Sequence, residues 1–492
     1  MNRFDKFALL IALLSVLFSI WVALGVNEGL AQLEDEYAYL WQARLIAQGE
    51  IKLPSPPESE VFRVPFVIDY QGERFGKYPL GWPVILSFGE WIGLPWLVNP
   101  LLGGLAVWLT YRLGKKLLGE RVGLLAAGLT ACSPFFLTYS GSLLSHTSGL
   151  VLSLGFALSW LDLTRDQNPV PGWLPILTAG ATLGVLASSR PLTALGVAIP
   201  FMIQGIFKVW RGSWVIKKRI ILAGLLALIL ASLHYLWRYA LTGNWLLNPY
   251  TLWWDYDKLG FGKGFGPMPE GNTLAQSLMN TRLSLRSMVN DLFGWGPLTW
   301  LLPLAGIWIN RRQRQVWLIS SIFFSLTAVY LAYWVSGSRY FYEGLYSLTI
   351  LSASAIAWIT GWHSQASTRI STKQKVIAFL FGMMVIASGI FYTPARLKNI
   401  EERYGFSKDD LRVFQSDAIQ EFTPALILVY AQSWKEYGAF LHLEDPDLTT
   451  PLIFAWIFPG QNPPEQLSTD YPDRTIYYFY PDDPGSLYIA PR

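Results

Sequence analysis

Apolar residues occur along this chain in long unbroken runs, with little of the alternation or one-sided striping that marks half-buried elements. The runs cover 7–26, 96–113, 122–138, 147–163, 172–189, 191–207, 220–241, 296–310, 316–335, 344–361 and 376–392. A helix needs about 20 apolar residues to cross a bilayer core, and the first run, "FALLIALLSVLFSIWVALGV", has that length. No small-residue cleavage site follows it, so it reads as a retained first span. The pattern predicts an all-α bundle of about eleven transmembrane helices. The stretch "GWPVILSFGEWIG" (81–93) is apolar but only about 13 residues long and carries Glu90. That length suits an interfacial or re-entrant helix.

Between the runs lie a long first loop (27–95), a long loop at 242–295 and a polar tail from 393. In the tail, Pro- and Asp-rich breaks separate "ALILVY" (425–430), "PLIFAW" (451–456) and "RTIYYFY" (474–480), which read as short β-strands. The expected organisation is a membrane domain over 1–392 and a small α/β domain over 393–492. No internal repeat or low-complexity tract appears.

Composition agrees with a membrane setting. Of 492 residues, 52% are hydrophobic and only 15% charged, and the mean hydropathy is +0.31; an ordinary soluble domain lies well outside these values. The single Cys132 leaves no intramolecular disulfide framework. The net charge of +4 is small, but its distribution sets an orientation, because Lys and Arg collect in cytoplasmic loops. With Arg3 and Lys6 inside, Lys115/Lys116/Arg121, Arg165, Lys208/Arg211/Lys217/Lys218/Arg219, Arg311/Arg312/Arg314 and Arg369/Lys373/Lys375 all fall inside as well. The first loop, the 242–295 loop and the tail then face outward from a multi-pass plasma (inner) membrane protein.

Against this frame a few residues stand out: Asp35 and Glu36 in "LEDEYAYLWQARLIAQGE", Lys77 and Tyr78 in "FGKYPLGWP", His146 in "SGSLLSHTSG", Arg190 in "ASSRPLTA", and Arg339 and Tyr340 in "SGSRYFYEG". All are expected at the outer membrane face, where positive residues are scarce. Each has a plain structural reading. Acids at a helix start favour capping and the dipole, Lys77 and His146 suit an interface, and Glu343 could partner Arg339. Together, two arginines, a lysine, a histidine and a carboxylate pair at one depth make a site for chemistry on an anion. The glycines of "LGFGKGFGPMPEG" (259–271) have no preceding strand and no closing Lys-Ser/Thr pair, so they read as a flexible outer loop and not a phosphate loop. There is no zinc-ligand spacing, no nucleophile elbow and no HExxH, and nothing points to nucleic acid.

At these residues the chain resembles the C-type glycosyltransferase superfamily (GT-C), in particular its protein O-mannosyltransferase and lipid A aminoarabinose transferase group (glycosyltransferase family 39). The likeness covers roughly 1–360 and is strongest in the first loop. It implies an inverting transferase that moves a sugar, hexose or pentose, from a polyprenyl-phosphate donor to a lipid, glycan or protein acceptor on the outer face. By this resemblance Asp35 is the catalytic base and Glu36 its companion, while Lys77 matches a residue of a motif in which Tyr78 and Pro79 replace two usual prolines. Many relatives carry a further acid in the second outer loop, where this chain has Ser145 and His146. The residues fix no cofactor, and a divalent cation is left open.

The chemistry needs these residue types. A sugar on a lipid phosphate leaves as an anion, so it calls for positive charge, which Arg supplies in a planar fork that stays ionised. The acceptor hydroxyl must lose its proton as it attacks, which suits one positioned carboxylate. Retention through a glycosyl-enzyme would want a second carboxylate on the same ring, and neighbours about 100° apart on a helix do not share a face. A transporter or lipid flippase is the alternative, since charges near span ends can also line a path.

Overall fold

The computed structural model describes residues 2–165, 172–362, 371–401 and 406–492; Arg369, one of the basic residues used for orientation, lies outside them. The apolar runs form helices because, in hydrocarbon, only bonding within a segment satisfies every backbone N–H and C=O. They comprise α1 (Arg3–Trp21), α2 (Glu34–Ala47), α3 (Gly81–Trp91), α4 (Val98–Leu118), α5 (Glu120–Ala131), α6 (Pro134–Ser140), α7 (His146–Leu163) and α8 (Trp173–Ser189). There follow α9 (Pro191–Arg211), α10 (Trp214–Thr242), the short α11 (Pro249–Trp253), α12 (Leu274–Phe293), α13 (Leu298–Ile309), α14 (Arg314–Tyr330), α15 (Leu345–Ile359) and α16 (Thr372–Ala387).

Length and composition support fewer spans than the runs suggested. Among the described residues, four helical stretches are long and apolar enough to cross a membrane alone, Arg3–Val26, Pro191–Arg211, Trp214–Thr242 and Thr372–Ile400. Two bent pairs raise the number to six, α5 with α6 at 63° and α12 with α13 at 88°. The first bend falls where Ser133 caps Phe136 N at 3.3 Å and Pro134 opens the next helix. The second follows Gly294, whose φ of +70° is left-handed. The stretch 242–295, expected as an outer loop, thus holds a 20-residue helix, α12. Its buried positions, Ser277, Ser284, Met288 and Asp291 among them, keep helical spacing but are partly polar, so no apolar run announces them. The 11-residue α3 sits where an interfacial helix was expected.

Leu13, Leu14 and Leu17 of α1, Leu225 and Leu228 of α10, and Phe379 and Leu380 of α16 are exposed. Such continuous apolar faces suit lipid and not water. Basic residues cluster at one end of these helices: Lys115 and Lys116 close α4, Lys208 and Arg211 close α9, and Lys217 to Arg219 lie in the first turns of α10. Arg190 stands at the other end of α9, roughly 30 Å away at 1.5 Å per residue.

Two sheets lie beyond the bundle. In the first loop, β1 (Leu53–Pro54), β2 (Val67–Tyr70) and β3 (Glu73–Gly76) form an antiparallel sheet in the order β1-β3-β2. In the tail, β4 (Ala425–Tyr430), β5 (Leu452–Ile457), β6 (Thr475–Phe479) and β7 (Leu487–Tyr488) form a sheet in the order β5-β4-β6-β7, parallel but for its last pair. The first three of these coincide with the strands read from the sequence. The tail and first loop share a core: Tyr37 packs its ring edge-on to Phe406 and Trp434, and Trp456 N donates to Val61 O at 2.7 Å. Arg44 of α2 donates to the carbonyls of Leu441 and Glu444. The tail therefore braces the helix that carries Asp35.

Candidate active site

Of the three acids that open α2, Glu36 and Asp35 have different work. Glu36, 3% exposed, accepts from Gln32 N at 2.7 Å, Leu33 N at 3.1 Å and Leu143 N at 2.8 Å. It satisfies the open donors of the helix start and ties them to the corner before α7. Asp35, one residue before it, faces elsewhere. Its Oδ1 accepts from the Tyr78 hydroxyl, and its Oδ2 lies 3.0 Å from Arg339 Nη1. Burial works to raise the Asp35 pKa, but the Arg339 charge, the Tyr78 hydrogen bond and Lys77 outweigh it and hold the carboxyl below its ordinary value. Asp35 is thus kept ionised.

Lys77 leaves β3 with its amide bonded to Phe66 O at 2.9 Å. Far from being an exposed interfacial anchor, it is 3% exposed. Its Nζ sits 3.7 Å from the Phe66 ring centroid, 4.7 Å from Trp254 and 5.1 Å from Tyr250, a cage that holds a cation by its ring faces. Asp257 Oδ2 is 3.7 Å away. Burial pulls the Lys77 pKa down to about 8, against the opposing carboxylates of Asp257 and Asp35.

Arg190 lies in the corner between α8 and α9, where Pro191 opens the second helix. Its Nε is 2.9 Å from Glu343 Oε1, and its Nη1 donates to Ser145 Oγ at 3.0 Å. The partner expected for Arg339 therefore belongs to Arg190, because Arg339 turns toward the first loop and Asp35. Gly149 of α7 makes this possible: a Cβ there would stand 2.4 Å from Glu343 Oε1. His146 opens α7, buried against Tyr139 at 5.2 Å between ring centroids, and neither of its ring nitrogens has a hydrogen-bond partner among the described residues. Tyr340 stacks on Tyr330 at 4.7 Å.

Asp35, Lys77, Tyr78, His146, Arg190, Arg339 and Tyr340 all line one cavity of about 420 Å³. Glu36 does not. A second, more polar cavity of about 510 Å³ shares Glu34, Asp35, Leu144 and Arg339 with the first and is otherwise lined by residues such as Asn27, Ser142, Ser284, Ser336 and Arg396. The Asp35–Arg339 pair is thus a wall common to two chambers. Sequence reasoning missed Asp257, Tyr250 and Trp254, together with His234 and Arg238 of α10, which also line the first cavity. The available signal was "WWDYD", an acid set among aromatics just before the glycine run. That run is tied down, with Gly260 N bonded to Ala332 O at 2.9 Å and Gly266 N to Tyr256 O at 2.9 Å.

The donor set does not fit a divalent cation. No group of three His, Cys, Asp or Glu converges among the described residues. Both Asp35 oxygens are engaged by Tyr78 and Arg339, and both Glu36 oxygens by backbone N–H groups.

Residues 87–237, from α3 to α10, match the dolichyl-phosphate-mannose-protein mannosyltransferase family. That segment contains His146 and Arg190 but not Asp35, Lys77 or Arg339. No curated protein sequence matches the chain. Among solved structures, ArnT from Cupriavidus metallidurans bound to undecaprenyl phosphate is similar at a TM-score of 0.57 and 14% identity, covering 95% of this chain and 87% of that one. Its apo form is similar at a TM-score of 0.56 and 13% identity, covering 95% and 88%. The archaeal oligosaccharyltransferase AglB from Archaeoglobus fulgidus, in complex with an inhibitory peptide and a dolichol-phosphate, is similar at a TM-score of 0.54 and 13% identity. The match covers 94% of this chain and 65% of AglB. The chain thus shares the fold of ArnT and AglB and, over 87–237, is similar in sequence to the protein mannosyltransferases, in line with the resemblance drawn from its motifs.

Proposed function

We propose that the chain is an inverting glycosyltransferase that moves a hexose or pentose from a polyprenyl-phosphate donor to an acceptor at the outer face of the membrane. The observation that carries this reading is the position of one ionised carboxylate, Asp35, on the wall between a cation-lined cavity and a polar one. Lipid-phosphate binding by ArnT and AglB supports the same donor class.

In the reaction, the donor phosphate enters the first cavity near Lys77, Arg190 and His146. It competes with Asp35 for Arg339, and loss of that ion pair raises the basicity of Asp35 at the moment a base is needed. The acceptor hydroxyl approaches from the second cavity and gives its proton to Asp35. Its oxygen forms the new bond to the anomeric carbon as the bond to the phosphate oxygen breaks. The polyprenyl phosphate leaves with that electron pair, its charge met by Arg339, Arg190 and Lys77. Inversion follows from a single displacement, and Glu36 takes no part because its oxygens are held by the backbone. No observation favours the transporter or flippase alternative.

The test is turnover of radiolabelled undecaprenyl-phosphate sugars by the purified chain in nanodiscs. Release of undecaprenyl phosphate by the wild type and its loss in Asp35→Asn are expected. Absence of lipid-phosphate binding by the wild type would overturn the proposal.

A further inference from the structure

The polar chamber beside Asp35, of about 510 Å³, has the size of an ordinary small-molecule site. Its walls have turned their donors away. Thr138 Oγ1 donates to Pro134 O at 2.9 Å, Ser142 Oγ to Tyr139 O at 2.9 Å and Ser284 Oγ to Asn280 O at 2.7 Å. A hydroxyl carries one proton, so what these three can still offer a ligand is a lone pair. Two amides repeat the pattern, with Asn27 Nδ2 donating to Gly141 O at 2.9 Å and Gln32 Nε2 to Phe406 O at 3.1 Å. Their carbonyl oxygens, Asn27 Oδ1 and Gln32 Oε1, have no donor among the described residues, although the side chains are only 6% and 3% exposed. A buried acceptor without a partner is costly. A ligand that brings O–H or N–H groups relieves that cost.

The charges point the same way. Three acids, Glu34, Asp35 and Glu36, and two guanidiniums, Arg339 and Arg396, line the chamber. Both guanidiniums are paired, Arg339 with Asp35 at 3.0 Å and Arg396 with Asp291 at 2.9 Å. A phosphate group mainly accepts hydrogen bonds, so here it would meet lone pairs and an excess of carboxylates. A peptide fits little better, because each of its units brings a carbonyl that must also find a donor. A glycan hydroxyl makes no such demand, since it rotates its proton toward whichever acceptor is there.

We infer that the acceptor substrate is a phosphate-free glycan, whose hydroxyls donate to Asn27 Oδ1, Gln32 Oε1 and the inward-bonded hydroxyls of Thr138, Ser142 and Ser284. That this ligand is the acceptor rests on the transferase reading; its class rests on the chamber's own hydrogen bonds.

The experiment is saturation-transfer NMR on the full chain in nanodiscs, with undecaprenyl phosphate binding measured alongside. The probes are methyl α-D-mannopyranoside and methyl β-D-glucopyranoside, their counterparts mannose 6-phosphate and glucose 6-phosphate, and the capped tripeptide acetyl-Ala-Ser-Ala-amide. Saturable transfer from at least one methyl glycoside is expected, without competition from undecaprenyl phosphate. Its phosphorylated counterpart should bind roughly tenfold more weakly, the scale of one unpaired buried polar group, and the tripeptide more weakly still. Ser287 lines the chamber from an exposed position on α12, so Ser287→Trp should fill the chamber and remove the glycoside signal, with Tm and undecaprenyl phosphate affinity close to those of the wild type. Ser287→Lys supplies the missing donors and should narrow the gap between glycoside and sugar phosphate. The inference is overturned if neither glycoside binds, if a sugar phosphate or the tripeptide binds as tightly as the glycosides, or if Ser287→Trp leaves the glycoside signal intact. Lipid-phosphate binding without glycoside binding sinks this inference and spares the transferase reading, whereas glycoside binding without lipid-phosphate binding does the reverse.

Discussion

Arg339 and Asp35, 304 residues apart in sequence, meet at 3.0 Å. The contact closes the wall between the two chambers and keeps Asp35 charged while the site is empty of donor. Asp35→Asn retains the shape and one acceptor oxygen but cannot take a proton. Turnover should fall by roughly 10²- to 10⁴-fold, the usual size of a lost general base, with lipid-phosphate binding retained. Near-normal activity would remove Asp35 from the chemistry. Glu36→Gln should behave differently, because its amide nitrogen repels one of three N–H donors. It should lower stability by about 1–3 kcal/mol, read as Tm, and reduce turnover less than Asp35→Asn.

The two arginines separate by their partners. Arg190→Ala leaves Glu343, fully buried, as an unpaired charge, a change that costs about 3–5 kcal/mol. Adding Glu343→Gln should restore the melting temperature but not donor affinity. If the double variant binds undecaprenyl phosphate as the wild type does, Arg190 is structural. Arg339→Ala should weaken the same binding without a comparable loss of Tm, and Arg339→Lys should recover only part of it, since the bidentate fork is lost.

Lys77 gives the site a pH signature. Burial brings its pKa down to about 8, so the free protein loses this charge as pH rises through that value. The ratio kcat/KM reports free-enzyme groups and should fall on the alkaline side with a limb near pH 8. Lys77→Arg keeps the charge, so it should abolish the limb even where overall activity is lower. A limb of unchanged position in Lys77→Arg would assign it to another group.

Orientation rests on the basic loops. In a Cys132→Ser background, cysteines placed at Gln71 and in the tail should react with membrane-impermeant reagents from outside, and one at Gln313 should not. Labelling of the Gln313 position from outside would reverse the inferred face of the site.

How much of this was legible in the sequence follows from range. Apolar runs announce helices because lipid solvates them without regard to partner. Arg190 and Arg339 announced themselves as charges on the side that the basic loops predict to be outer. Their pairings were not legible: Glu343 lies four residues from Arg339, yet serves Arg190, because only the packed helices decide which guanidinium reaches it. The tail strands were visible as apolar runs of about six residues, whereas the first-loop strands have only two to four residues. The resemblance separated Asp35 as base from Glu36 as companion, but the physical reason, the backbone donors that hold Glu36, was not legible. Lys77 was legible as a charge in the first loop, but its cage was not, because it draws Phe66, Tyr250 and Trp254 from two separate loops.

The brace between tail and first loop supplies the last prediction. His442 Nε2 accepts from Ala31 N at 2.8 Å, four residues before Asp35, and Arg44 on the same helix grips the adjoining turn through the carbonyls of Leu441, His442 and Glu444. Only a neutral imidazole can accept at Nε2. Burial and the nearby Arg44 charge push the His442 pKa down to about 3. The folded pKa is thus below the unfolded value of about 6.5. Between the two, the unfolded chain binds the extra proton, so stability rises with pH there. The contribution is fully present above about pH 6.5 and is lost progressively as pH falls toward 3. Melting temperature measured from pH 8 to pH 4 should decline on the acid side, and His442→Gln, which has no titrating group, should flatten that decline. Because the bond fixes the approach to α2, His442→Ala should also lower kcat while donor affinity stays close to that of the wild type. If the acid decline is the same in His442→Gln and kcat is unchanged in His442→Ala, the tail braces the first loop through its other contacts and not through this histidine.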